Sequence, residues 1–225
     1  MPKFLSAILF LLFVSSAQSQ QLSQITFANA STLSWFTFST DQGILIRVAE
    51  DGKVLEWGTE LMSERSTNYY APKLQPYMGR IAYYGTEADS INRGKVKSIG
   101  TSVFTYYGAY EIEEKRGRLK SVGTVNLEYY TRFENPAFKG KLRVIGSTLL
   151  DYYSMFENDA YKGKLRMVGT TPINYYSTFD DKGKIKSIGQ ESYDWSFLRN
   201  HSQFGAAQKP NLYRQNINGV TFILR

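Results

Sequence analysis

A pair of adjacent tyrosines recurs every 23 residues. The pairs begin at Tyr83, Tyr106, Tyr129, Tyr152 and Tyr175. A second marker follows each pair, of the form basic-Gly-basic-aliphatic-basic-x-aliphatic-Gly. It runs Arg93-Gly94-Lys95-Val96-Lys97-Ser98-Ile99-Gly100 in the first copy and recurs from Arg116, Lys139, Lys162 and Lys182. A period of this length means one supersecondary unit per repeat, stacked on its neighbours. Weaker echoes at Gly52-Lys53-Val54 and Gly79-Arg80-Ile81 place degenerate units ahead of the array.

The last interval shows where the loop lies. Between Gly163 and Gly183 the step shortens to 20, and the missing residues fall between the aromatic stretch and the glycine. Loops absorb deletions and strands do not. Asp180-Asp181-Lys182-Gly183 and Glu50-Asp51-Gly52-Lys53 have turn chemistry. Each unit therefore reads as a β-hairpin with an aromatic first strand and a basic-aliphatic second strand. Gly100-Thr101, Gly123-Thr124, Gly146-Ser147 and Gly169-Thr170 supply the return turns, where glycine allows positive φ. Tyr, Phe, Val, Ile and Thr suit strands, and helical spacing of apolar residues is absent. The expected fold is all-β, an antiparallel meander of tandem hairpins; a parallel β-solenoid also fits the period.

Strand parity then predicts two faces. Leu127, Tyr129, Thr131 and Phe133 share a core face, as do Leu150, Tyr152, Ser154 and Phe156. Glu128, Tyr130 and Arg132 share the other face, with Asp151, Tyr153 and Met155 in the next unit. One tyrosine of each pair goes to the core and its neighbour to a more open face.

The stretch Phe179-Asp180-Asp181-Lys182-Gly183-Lys184-Ile185 resembles the YD repeats of secreted RHS-type shells. The 23-residue period with its Gly-Lys-x-x-x-Gly spacing resembles MORN repeats. The MORN tryptophan and further Gly-x-Gly are missing, and four units carry a loop three residues longer than the YD pattern. The resemblance spans roughly residues 83 to 189 and implies an antiparallel β-meander, with no activity attached.

Organisation follows from composition. Residues 1–19 have a basic start at Lys3, an apolar run from Phe4 to Val14 and small residues up to Ser19. This is the three-part pattern of a signal peptide cleaved near Ser19, and the run is too short to span a bilayer. The expected destination is secreted or periplasmic. The absence of cysteine excludes disulfides, thiolate metal sites and a thiol nucleophile, and suits a bacterial envelope. Residues 20–66 read as an N-terminal β cap, 67–190 as the hairpin array and 191–225 as a C-terminal β cap. Trp195-Ser196-Phe197 falls where a sixth aromatic pair would stand.

The net charge of +7 is concentrated in the repeat. Basic residues occupy alternate positions: before the marker glycine (Arg93, Arg116, Lys139, Lys162, Lys182), after it (Lys95, Arg118, Lys141, Lys164, Lys184) and two further on (Lys97, Lys120, Arg143, Arg166, Lys186). Alternate positions on a strand point to one side. With Tyr107, Tyr130, Tyr153 and Tyr176 interleaved, this ladder suits an anionic polysaccharide or an envelope protein; nucleic acid is not the expected partner. The plain alternative is a solvated face, its lysines paired with Glu128 and Asp151 across strands.

Catalytic signatures are missing. His201 is the one histidine, so no site can use two imidazoles. No nucleophile elbow, phosphate loop or His-Glu-x-x-His is present. Asp180-Asp181 and Glu113-Glu114 fall at hairpin tips, where acidic turn residues are common. The expectation is a non-catalytic module without cofactor or metal. A protein-interaction scaffold and a carbohydrate-active enzyme are the other readings; the enzyme would need two carboxylates about 5 to 9 Å apart across a cleft.

Overall fold

The structure, a computed structural model, describes residues 21–60, 73–179, 181–195 and 213–225. The expected signal segment, His201, Asp180 and the Ser196-Phe197 half of the sixth pair lie outside the described residues. Among the described residues eighteen strands form two sheets, with one short 3-10 turn at Pro136–Phe138. No helix among the described residues is long and apolar enough to cross a membrane.

The repeats build the larger sheet. Its eleven strands lie in sequence order: β6 (Ile81–Tyr83), β7 (Val96–Ile99), β8 (Ser102–Tyr106), β9 (Leu119–Val122), β10 (Val125–Tyr129), β11 (Leu142–Ile145), β12 (Thr148–Tyr152), β13 (Leu165–Val168), β14 (Thr171–Tyr175), β15 (Ile185–Ile188) and β16 (Glu191–Ser192). Every neighbouring pair is antiparallel. This is the expected meander, and the solenoid alternative does not form. The two-residue returns place glycine first, with Gly100 at φ +57°. That is the turn whose twist matches the flanking strands.

One β-bulge recurs in all five units. In the first, Ala82 pairs with Ser98 and Tyr83 with Val96, leaving Lys97 without a partner. Lys120, Arg143, Arg166 and Lys186 are skipped in the same way. An extra residue on one strand shifts side-chain parity past it. Val96 and Ile99, three apart, are therefore both buried, and Leu142 and Ile145 repeat the pattern.

The expected core faces are correct as far as the strands run. Leu127, Tyr129, Leu150 and Tyr152 are buried. Phe133 and Phe156 are not: they stand 83% and 88% exposed. The aromatic strand ends at the first tyrosine of each pair, so parity does not carry to Thr131 or Ser154. The backbone N–H of Tyr130 donates to Lys141 O, and Gly140 N–H donates back to Tyr130 O. This clamp turns the chain into the tip loop.

The flanks pair with each other rather than capping opposite ends. The smaller sheet runs β17 (Tyr213–Ile217), β18 (Val220–Leu224), β1 (Gln21–Ala28), β2 (Thr32–Ser39), β3 (Leu45–Val48), β4 (Val54–Thr59), β5 (Gln75–Pro76). β1 and β18 are parallel, with Ile25 beside Phe222 and Phe27 beside Leu224. The two sheets share one core, in which Phe27, Phe36 and Phe222 join Leu119, Tyr129, Tyr152 and Ile185. Fully burying one such side chain contributes about 1.5–3 kcal/mol.

Two buried tyrosines give opposite expectations. Tyr129 donates its hydroxyl to Leu119 O at 2.6 Å, whereas the buried Tyr152 hydroxyl has no hydrogen-bond partner among the described residues. Tyr129→Phe is expected to lose about 1–2 kcal/mol, and Tyr152→Phe to be neutral or stabilising. Urea unfolding of the two variants checks the contrast. Gly52 takes φ +83°, and a Cβ there would stand 1.9 Å from the Tyr129 hydroxyl oxygen. Gly52→Ala is expected to cost at least about 2 kcal/mol in the same measurement.

Candidate functional site

The three basic positions of each repeat do not share one side. The bulge and the positive-φ marker glycine divide them into three rows. Residues after the glycine turn inward and are half-buried; those two further on point outward and are exposed; those before it sit at the hairpin tips.

The inner row is structural. Lys95 Nζ donates to Gly117 O and to Asn92 Oδ1. Arg118 reaches Gly140 O, Lys141 reaches Gly163 O at 2.6 Å and Lys164 reaches Gly183 O at 2.6 Å. Each cation thus ties its own unit to the marker glycine of the next. The same four lie over the first tyrosine of the next unit, 4.9 Å from Tyr106, 5.4 Å from Tyr129, and 5.1 Å from both Tyr152 and Tyr175. Loops of the smaller sheet dock on this row. Arg118 donates to Asp51 O at 2.8 Å, Lys141 pairs with the Glu50 carboxylate at 2.9 Å, and Lys164 meets Ser31 Oγ at 2.7 Å. Lys184 closes the row on Asp181 at 2.9 Å. At the other end Lys95 opens onto a cleft of about 520 Å³ lined by Val54, Trp57, Tyr83 and Tyr106.

The outer row points outward, but its tyrosines do not lie on an open face as strand parity expects: Tyr107 and Tyr130 are buried and Tyr153 and Tyr176 half-buried, because each ring packs against the next unit. Lys97, Lys120, Arg143, Arg166 and Lys186 each lie over the second tyrosine of their own unit, Tyr84, Tyr107, Tyr130, Tyr153 and Tyr176, at 5.6 to 6.0 Å. Lys97, Arg143 and Arg166 are about half-exposed at the side chain, against 23% for Lys141. Surface carboxylates accompany three of them: Glu87 at 3.7 Å, Glu134 at 3.4 Å and Asp151 at 3.6 Å. Lys120 and Lys186 have no carboxylate within ion-pair distance among the described residues. Glu128, expected opposite the ladder, pairs instead with Lys115.

The tip row bonds to the tip loops: Arg93, Arg116 and Lys162 to their own, and Lys139 to the loop of the preceding unit. Arg93 donates to Ala88 O and Arg116 to Glu111 O. Lys139 meets Glu114 at 3.4 Å, Lys162 meets Asp159 at 2.6 Å, and the Lys182 N–H closes on Phe179 O.

The second tyrosines join both surfaces. Tyr84, Tyr107, Tyr130 and Tyr153 donate their hydroxyls to Phe104 O, Leu127 O, Leu150 O and Ile173 O, each in the next unit, at 2.8 to 3.0 Å. Tyr176 repeats this with Tyr193 O at 2.9 Å. Their rings stand edge-on to the next first tyrosine, about 6 Å between centroids.

Residues at one further position were missed by strand parity. Four places after the first tyrosine of the second to fifth units stand Tyr110, Phe133, Phe156 and Phe179, all exposed; in the first unit the position is Glu87. Aligning the units on their tyrosine pairs reveals the position, although parity assigns it to the core. No protein-family model, curated protein or solved structure matches this chain.

Two outcomes test the assignment of rows. Lys141→Met is expected to cost about 1–3 kcal/mol, because Glu50 and Gly163 O both lose their partner; Arg143→Met is expected to stay within about 0.5 kcal/mol. Denaturant midpoints separate them. Burial also raises the phenol pKa of Tyr106, Tyr107, Tyr129, Tyr130, Tyr152, Tyr153 and Tyr175 above the ordinary 10.0. Their folded state holds protons the unfolded chain releases, so this stability is complete below pH 10 and is lost as pH climbs beyond it. Desolvation lowers Lys95 and Lys164, which opposes the trend at two sites only. Tyrosinate absorbance is expected to rise together with loss of strand circular dichroism above pH 10, in one transition.

Proposed function

We propose that this chain is a non-catalytic binding module, exported to the bacterial cell envelope, that holds an anionic polysaccharide on the outer cation row. The observation that carries this reading is the five-fold recurrence of an exposed Lys or Arg seated over a tyrosine ring. A bulge at each position turns the cation outward, away from the structural inner row. Neighbouring members stand two strand spacings apart, about 9.5 Å. This is close to the Debye length of about 8 Å at physiological salt, so the row acts as linked point charges. A linear polyanion can meet several at once, whereas a single small anion meets one. The opening segment, basic then apolar then small, supports export.

Retention on immobilised heparin or alginate tests it. Binding is expected to weaken steeply as salt rises, and a Lys120→Gln/Arg143→Gln/Lys186→Gln variant is expected to elute at lower salt with an unchanged melting temperature. No retention, retention insensitive to salt, or an unaltered variant would each overturn the reading.

A further inference from the structure

We infer that the hairpin tips form a second recognition surface, a row of aromatic rings on which sugar rings of an extended polysaccharide stack. It rests on the proposed function only in taking a polysaccharide as ligand; the residues and the force are different. The row is Tyr110, Phe133, Phe156 and Phe179, each at least 83% exposed. A single exposed ring signifies nothing. Four at one register of four consecutive units form a repeated feature of the surface.

The local structure holds these rings outward. In three units the residue after the ring donates its N–H to the carbonyl two before it: Glu111 to Gly108, Glu134 to Thr131 and Glu157 to Ser154. Each ring therefore sits at the same corner of a β-turn. The Thr131 and Ser154 hydroxyls accept the N–H of Phe133 and Phe156, which stiffens two of these corners. The fourth unit is three residues shorter yet still presents a ring. Phe179 does so at φ +60°, where a bulky residue is an outlier. Strain of this kind persists where the surrounding structure enforces it, and it clusters at recognition sites.

The spacing and chemistry select the occupant. Rings two strands apart recur about every 9.5 Å, close to the rise of two residues in an extended β-linked glycan. A carboxylate follows three of the rings, at Glu111, Glu134 and Glu157. Carboxylates accept hydrogen bonds from sugar hydroxyls, and they repel an anionic lipid surface. Aromatic faces take the apolar face of a pyranose ring without any need for charge.

The test is affinity electrophoresis of the full chain in gels containing hydroxyethylcellulose, xylan or galactomannan, at high salt. At least one of these neutral polymers is expected to retard the protein. A Tyr110→Ser/Phe133→Ser/Phe156→Ser variant is expected to bind at least about tenfold more weakly, since each ring contact is worth about a factor of three to ten. Its melting temperature is expected to match the parent. Phe179→Asn is expected to bind more weakly and yet melt about 2–4 °C higher, because Asn relaxes the left-handed backbone. The Lys120→Gln/Arg143→Gln/Lys186→Gln variant is expected to bind neutral polymer as the parent does, so this surface and the cation row can fail independently. No retardation by any neutral polymer, unchanged binding by the serine variant, or serine-sensitive co-sedimentation with phosphatidylglycerol vesicles would overturn the inference.

Discussion

Everything in the array depends on one contact between successive units, the hydroxyl of a second tyrosine bonded to a backbone carbonyl of the next hairpin. A hairpin with strands of four or five residues is marginal by itself. Here each hairpin also presents its ring edge to the next tyrosine and sends an inner cation to the next marker glycine. Three contacts, made by two side chains, thus cross each boundary from the first unit to the fifth. Stability in such an array is a sum of nearest-neighbour terms. The cation contact survives the shortened step, where Lys164 still reaches Gly183 O, so strand register and not loop length sets it.

The same residue type meets two fates within a single marker. Lys141 and Arg143 are two positions apart, yet one ties the sheets together and the other faces water. The difference lies in backbone geometry. Glycine at positive φ brings the first cation under the next unit, and the bulge pushes the second outward. Because Lys141 is shielded by the smaller sheet, its attraction to Glu50 is less screened than that between Arg143 and Glu134.

Period, hairpins and return turns were all legible, because they rest on local chemistry that each copy repeats. Even Trp195 was legible as a first-tyrosine equivalent: its indole N–H donates to Ile185 O, as the Tyr175 hydroxyl donates to Leu165 O. The division of the basic ladder was not legible. Parity assumes an unbroken strand, and a bulge leaves no residue-type signature at a Lys or Arg. The docking partners of the inner row were beyond reach for another reason. Ser31 lies 133 residues from Lys164, and Asp51 lies 67 from Arg118. No periodicity inside the array points to them. Phe133 and Phe156 were misplaced because the strand stops at the first tyrosine.

The parallel pairing of β1 with β18 also sets an order of events during synthesis. β1 is made before the array and β18 after it, so one edge of β1 lacks its β18 partner while the whole array is produced. Contacts this distant in sequence slow folding. The hairpins can form one after another as they emerge, since their partners are near neighbours. The smaller sheet cannot complete this pairing until β18 arrives. Folding is therefore local and sequential in the repeats, but conditional on a strand made after them in the sheet that covers them.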